Sequence, residues 1–272
     1  MNNYYDELQA CDEPARIDGW RHRLEQWLRF EVACRGLQIS DSTSVIDIGC
    51  GTGRLIQYLS TDRSGGYLGV DRRQSAIERG RQDAPNAAFY CADWSDDDID
   101  EEGPFEVGVA IGTLVDGSAP SGVERRQKLI ELATRLDELT TRGFAIVVLN
   151  QRRLHDDPIR QLDPSLHGAS RRELQSTVEK LDLSACITAE PLPSDFFLFA
   201  GLDEYPDSIH ERIAGIEPHQ EVLRRADASA ADAAWLWIIS EQPERARSSL
   251  AEVPKQDRRR TLLESRLQLL CR

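Results

Sequence analysis

Ser44-Val45-Ile46-Asp47-Ile48-Gly49-Cys50-Gly51-Thr52-Gly53-Arg54-Leu55-Ile56-Gln57-Tyr58-Leu59 is the stretch that decides the fold. A short β-branched run ends in glycines, and apolar side chains then recur at helical spacing, so the stretch predicts strand, turn and helix. Glycine tolerates positive φ and lets the backbone approach a ligand closely, while the following helix offers unpaired N–H groups and the positive end of its dipole. Such a turn suits a negatively charged group. Dinucleotide sites use G-x-G-x-x-G at this place, but the sixth position here is Arg54 and the pattern is G-x-G-x-G.

The alternation of strand and helix continues outward. Gly66–Asp71 reads as strand two, Gln74–Arg81 as a helix, Ala88–Asp93 as strand three, Phe105–Ile111 as strand four and Val123–Leu139 as a long helix. Gly143–Leu149 is nearly continuous in apolar character, as a strand buried on both faces should be. Ser170 with Glu173 three residues on carries a capping-box signature for a helix to Leu181. Cys186–Ala189 and Asp195–Ala200 close the sheet, and the link Glu190-Pro191-Leu192-Pro193-Ser194 is too short for a parallel crossover, so this pair is expected to be antiparallel. Before the first strand, Trp20, Leu24, Trp27, Leu28 and Val32 predict an amphipathic helix across 17–37. After Leu202 the pattern is helix only: Ser229–Ser240, Pro243–Val253 and Gln256–Leu270, with Pro243 and Pro254 where proline suits a first turn. The fold class expected is α/β, a doubly wound seven-stranded, mostly parallel sheet with an antiparallel last strand, plus a C-terminal α-helical extension.

At 272 residues, 40% hydrophobic and 29% charged, the chain has the composition of a globular protein with a packed core. Its formal charge of −14 would repel a polyphosphate backbone, so nucleic acid and anionic membrane surfaces are poor partners. Met1-Asn2-Asn3-Tyr4-Tyr5-Asp6-Glu7 has neither a basic n-region nor an apolar h-region, and no apolar run approaches a bilayer span, so a cytoplasmic location is expected. The cysteines 11, 34, 50, 91, 186 and 271 form no C-x-x-C pair, which argues against a zinc site and a disulfide framework; no metal is expected.

Ligands of open α/β sheets bind beyond the carboxyl ends of the strands, where Asp71 closes strand two and Asp93, followed by Trp94, closes strand three. Asp71 stands where a carboxylate accepts both hydroxyls of a ribose, Asp93 where one accepts from an adenine amino group, and Asp47 where one meets an ammonium. The acids and the glycine turn therefore predict one nucleoside-like site.

Over roughly Tyr4 to Leu202 the chain resembles class I S-adenosylmethionine (SAM)-dependent methyltransferases. The resemblance rests on Val45–Gly53, on Gly69-Val70-Asp71, on Ala92-Asp93-Trp94 and on Val109-Ala110-Ile111-Gly112. More narrowly, Tyr4-Tyr5-Asp6-Glu7-Leu8, Gly19-Trp20, Arg29-Phe30 and Leu192-Pro193-Ser194-Asp195-Phe196 are similar to a bacterial subgroup of unassigned substrate. It implies SAM as methyl donor, bound by Asp47, Gly49, Cys50, Gly51, Gly53, Asp71, Arg72, Asp93, Trp94 and Ile111, and leaves the acceptor and any catalytic group open. Strand four runs into Gly112-Thr113-Leu114-Val115-Asp116 without the Asn/Asp-Pro-Pro-aromatic element of enzymes that methylate base amino groups. The expected division is an N-terminal helical segment over the cofactor site (1–40), a SAM-binding domain (41–202) and a helical extension (203–272). The expected function is methyl transfer to a small molecule. Its alternatives are a SAM-binding scaffold or sensor, or a protein methyltransferase, with the C-terminal helices binding a protein partner. Tyr4 and Tyr5 precede the first helix, where methyltransferases often fold a segment over the cofactor, His155 and His167 lie in the loop on the side where acceptors enter, and Asp116 and Asp195 fall near the same edge; the more frequent reading of each is a frayed terminus or a surface residue, and His22 is expected to face solvent.

Overall fold

The computed structural model describes residues 22–96, 99, 102–114, 122–154, 166–203, 206–215 and 217–271. Its centre is a seven-stranded sheet in the order β3-β2-β1-β4-β5-β7-β6. The strands are β1 (Val45–Ile48), β2 (Tyr67–Asp71), β3 (Ala88–Cys91), β4 (Phe105–Ile111), β5 (Thr140–Leu149), β6 (Ala185–Thr188) and β7 (Asp195–Ala200). β1 to β5 pair in parallel, and β7 runs antiparallel to both β5 and β6, as the short link before it requires. Strand order reverses between β1 and β4, and a crevice opens at such a switch point beyond the carboxyl ends of the strands.

Alternate residues of the sheet face two cores. Ile46, Ile48, Leu68, Val70, Ile146 and Leu198 pack against α4 (Gly122–Leu139) and α6 (Arg171–Lys180), which contribute Leu129, Leu132, Leu136, Leu174 and Val178. On the other face Val45, Val107, Val109, Val147, Phe197 and Phe199 meet α1 (Arg23–Gly36) and α2 (Arg54–Leu59). α3 (Gln74–Asp83) adds Ile77 to this second core, and the single turn α5 (Gln151–Leu154) follows β5. α6 begins at the anticipated capping box: Ser170 Oγ accepts from the Glu173 amide while the Glu173 carboxylate accepts from the Ser170 amide.

The structure departs from the sequence reading at several places. β3 ends at Cys91 and leaves Asp93 in the following loop. β5 starts at Thr140, directly after α4, and its register against β4 shifts between Phe105 and Val107, ahead of Gly143 at φ 128°. α1 does not present the solvated polar face of an amphipathic helix, since Glu25, Gln26, Arg29 and Glu31 are buried with its leucines. The cover comes from the C-terminal helices, of which α7 (Pro206–Ile213) and α8 (Glu217–Arg225) were not anticipated. Their apolar residues are sparse in sequence, but Ile209, Ile213 and Val222 are buried in the core that α1 also enters. Burial of each such side chain contributes about 1.5–3 kcal/mol. α9 (Ala230–Ile239) and α10 (Pro243–Glu252) form as expected, with Pro243 in the first turn. α11 (Arg260–Leu270) starts later than the pattern suggests. Pro254 lies in turns before it, held by Asp257 N–H to Pro254 O at 3.0 Å and by Arg259 N–H to the Asp257 carboxylate at 2.8 Å. No helix among the described residues is long and apolar enough to cross a membrane.

One buried group makes this helical layer sensitive to acid. His219 Nε2 shares a 2.8 Å hydrogen bond with Ser240 Oγ, its ring stacks on Trp237 at 4.6 Å, and its Nδ1 is buried without a partner. Burial, aided by the nearby Arg245 guanidinium, pushes the imidazole pKa down to about 4. An unfolded histidine takes its proton near pH ~6.5, so between about pH 6.5 and 4 the unfolded chain binds more protons than the native one. Stability is therefore full above that window and falls on acidification through it, by about 3 kcal/mol. Thermal melts across the window should show this slope in wild type and a flatter one in His219→Gln; parallel slopes would refute the assignment.

Candidate functional site

The turn after β1 closes through its own backbone. Gly49, Gly51 and Gly53 stand at φ 74°, 57° and 73°, a region open to glycine at little cost. Space enforces the same choice at two of them: a Cβ on Gly49 would lie 2.4 Å from Thr113 Oγ1, and one on Gly53 2.6 Å from the Phe89 ring. The Gly49 and Cys50 amides both donate to Val70 O, at 2.7 and 3.0 Å, and the Gly53 amide donates to Cys50 O at 3.0 Å. Cys50 turns its thiol inward, against Gly69 of β2, so it can reach a ligand through its backbone alone.

Asp71 ties the turn to β2. One carboxylate oxygen accepts the Gly51 amide at 2.9 Å, and the other accepts the Arg73 amide at 2.9 Å. The Arg73 guanidinium lies on the same carboxylate, at 3.2 Å from Nε and 3.5 Å from Nη2. Arg72, the neighbour expected at the site, is exposed. Asp93 is also exposed, and its Oδ1 accepts from the Ser95 amide at 3.2 Å and the Ser95 hydroxyl at 2.9 Å. Trp94 packs partly into the core under α4, where Arg135 donates to its carbonyl at 3.1 Å. The structure thus brings Asp71, Asp93 and Trp94 to the carboxyl ends of neighbouring strands, beside the glycine turn.

Asp47 is placed differently from the other two acids. It pairs with Gly69, two residues short of Asp71 on β2, and is buried. Tyr67 donates its hydroxyl to Asp47 Oδ2 at 2.7 Å, and burial together with that carboxylate raises the phenol pKa well above its ordinary value. Ile111 ends β4 at the same edge, followed by Gly112 at φ 78°. Thr113, whose role the sequence did not indicate, donates to Ile48 O at 2.7 Å and joins the end of β4 to the glycine turn.

Other candidates fall elsewhere. His22 caps α1, its Nδ1 accepting the Leu24 amide at 3.2 Å, with Nε2 3.7 Å from the Asp232 carboxylate. Asp195 is locked in a buried ion pair with Arg29. His167 stands partly buried in the segment before α6. Tyr4, Tyr5, Asp116 and His155 lie outside the described residues.

Residues 39–160 match the family model described as a methyltransferase domain. Over 67 residues the chain is 36% identical to the putative methyltransferase 235L of Invertebrate iridescent virus 6. That match covers 24% of this chain and 25% of the viral protein, so the chain spans about a quarter of the length of the curated relative it matches. Among solved structures, the methyltransferase domain of bacterial CtHen1-CN is similar at a TM-score of 0.50 and 18% identity, covering 66% of this chain and all of that one. N-methyltransferase NodS from Bradyrhizobium japonicum WM9, in complex with S-adenosyl-L-homocysteine, is similar at 0.50 and 14% identity, covering 75% of this chain and all of NodS. At these identities the likeness is one of fold.

Proposed function

We propose that the chain, whose residues 39–160 match a methyltransferase domain, is a class I SAM-dependent methyltransferase that transfers a methyl group to a small-molecule acceptor. The observation that carries the reading is the Asp71 carboxylate at the end of β2, bonded to the Gly51 amide of a turn that has no room for side chains at Gly49 and Gly53. A nucleoside with a small charged tail fits this arrangement. Asp71 accepts the ribose hydroxyls, Asp93 and Trp94 border the adenine with Arg72 beside them, and Ile111 lines the base from β4. Asp47, held by Tyr67, fixes the strand from which Gly49, Cys50, Gly51 and Gly53 approach the amino-acid tail.

Bound SAM supplies a methyl group already activated on a sulfonium, so the protein's contribution is to hold the acceptor atom about 3 Å from it and in line. The end of β4 lies beside the glycine turn, joined to it by the Thr113 hydroxyl's bond to Ile48 O, which supports an acceptor approaching from that side. The small-molecule reading is preferred to a protein acceptor because Trp237, Ile238, Ile239, Ala246 and Leu250 of the C-terminal helices are buried within this fold.

The test is calorimetry with SAM followed by incubation of the protein with methyl-labelled SAM and a deproteinised metabolite extract. Micromolar SAM binding and a labelled small molecule are expected. Absence of SAM binding, or label recovered only in protein when whole lysate replaces the extract, would overturn the proposal.

A further inference from the structure

The C-terminal helices meet the sheet and its helices along a seam that guanidinium groups cross. Arg225, the last residue of α8, donates from Nη1 to Tyr58 O at 2.8 Å, and Arg212 of α7 donates to Gly36 O at 2.8 Å. In the opposite direction Arg23 of α1 donates to Ala226 O at 3.2 Å. Each acceptor lies in or just beyond the last turn of a helix, where carbonyls lack intrahelical partners and the dipole favours positive charge. Gly36 ends α1, and Ala226 follows α8. The carbonyl that Arg225 caps belongs to α2, the helix that leads out of the glycine turn.

α2 cannot set its own position. It holds 6 residues, short of the ~12–15 below which an isolated helix is marginal in water, and Gly53 at its start supplies no side-chain cap. Its middle is held by Leu55 and Ile56 in the core, and its carboxyl end hangs on Tyr58. Tyr58 is 5% exposed; its ring lies edge-on to Trp27 at 5.4 Å and carries the Arg225 guanidinium over its face at 4.6 Å. The Tyr58 hydroxyl donates to the Glu31 carboxylate, which also accepts from Arg35 Nε. Arg225 is itself kept in place, because Glu221, one turn back on α8, accepts its Nε at 2.7 Å. Tyr58 is therefore gripped by α1 through its hydroxyl and by α8 through its carbonyl and ring.

We infer that Arg225 is a positioning residue for the cofactor: by capping the carboxyl end of α2 it fixes the helix that grows out of Gly51 and Gly53, so the C-terminal helices act on the SAM site through this side chain. The inference rests on the methyltransferase reading above and gives the helices after Leu202 a part in it. A helix of this length spans only about 9 Å, so a shift at Tyr58 is passed to the turn rather than absorbed. The turn has no slack to take it up. Its Gly49, Cys50 and Gly51 amides are already bonded to Val70 O and Asp71, and there is no spare volume beside Gly49 or Gly53. The bonds that Arg212 and Arg23 make across the same seam join α1 to the C-terminal helices and leave α2 out. They hold the layers together, whereas the Arg225 bond reaches the helix of the ligand-binding turn.

The experiment compares the full chain carrying Arg225→Met or Arg212→Met with wild type. Each substitution removes a guanidinium from the seam while keeping most of the aliphatic stem, and each should lower the urea midpoint. Arg225→Met alone should weaken SAM binding, by about tenfold in calorimetry carried out well below the unfolding transition. It alone should also speed amide hydrogen exchange across residues 51–59. Arg225→Lys keeps the charge and a donor for Tyr58 O, so its affinity should fall between those of wild type and Arg225→Met; it secures the comparison if the methionine variant does not fold. SAM affinity within about twofold of wild type in both Arg225 variants, or a loss in Arg212→Met as large as that in Arg225→Met, would overturn the positioning role and leave SAM binding standing. A wild-type protein that binds no SAM would instead bring down the methyltransferase reading, and this inference with it.

Discussion

Asp71→Ala should weaken SAM binding by about two to three powers of ten. Hydrogen bonds to a charged acceptor contribute about 1.5–3 kcal/mol each, and two ribose hydroxyls depend on this carboxylate. The carboxylate has a second duty, since it holds the Gly51 amide at 2.9 Å and so sets the position of the turn. Asp71→Asn separates the two effects: the amide oxygen still accepts from Gly51, whereas the amide nitrogen opposes a ribose hydroxyl with a donor and the charge is gone. The expected order of affinity is wild type, then Asn, then Ala, read by calorimetry with SAM. Arg73→Ala is the control, because it strips the guanidinium from Asp71 while leaving the carboxylate, and it should bind SAM at least as tightly as wild type. An Asp71→Ala protein that binds SAM within about threefold of wild type would remove the assignment of the β2 end as the ribose site.

How far the sequence carries depends on how local each feature is. The turn was legible because a β-branched run, its glycines and the helical repeat after them sit within sixteen consecutive residues, 44–59. The capping box at Ser170 and Glu173 and the antiparallel closure of β6 and β7 were legible for the same reason. Asp71 and Asp93 could be found because strand ends recur at regular spacing along an α/β chain. What Asp47 bonds to could not, since Tyr67 reaches it only once β1 and β2 lie side by side. That Arg73 lies on the Asp71 carboxylate could not be read either, because nothing in a pair of adjacent arginines tells which one turns back onto the acid. The polar residues of α1 look like a solvated face until the C-terminal helices pack on the helix and β7 and α2 supply partners, Asp195 to Arg29 and Tyr58 to Glu31, from distant segments of the chain.

Arg29→Met is expected to destabilise the fold by about 4 kcal/mol, read as a drop in the urea midpoint. Arg29 is 1% exposed, as is Asp195. Two parallel bonds of 2.8 Å join Nε to Oδ1 and Nη2 to Oδ2, Nη1 donates to Glu25 O at 3.0 Å, and Ser194 donates its hydroxyl to the same carboxylate. Burial opposes the charge on the guanidinium, but Asp195 and Glu25 outweigh it and hold the Arg29 pKa above its ordinary value. Methionine fills much of the volume of the arginine stem and takes the guanidinium away from the buried Asp195 carboxylate, which is the costly half of breaking a buried pair. Removing both charges should be far milder, so Arg29→Met/Asp195→Leu is expected to recover most of the loss. The pair also matters for the site: Asp195 begins β7 opposite Leu149, the last residue of β5, so the ion pair clamps α1 to the carboxyl end of β5. Arg29→Met should therefore loosen the acceptor side of the edge while Asp71, on the far side of β1, keeps its grip on the nucleoside. Methyl transfer should fall more steeply than SAM affinity in the single variant. A single variant as stable as wild type, or a double variant no better than the single, would show that this pair is not what holds α1 to the sheet.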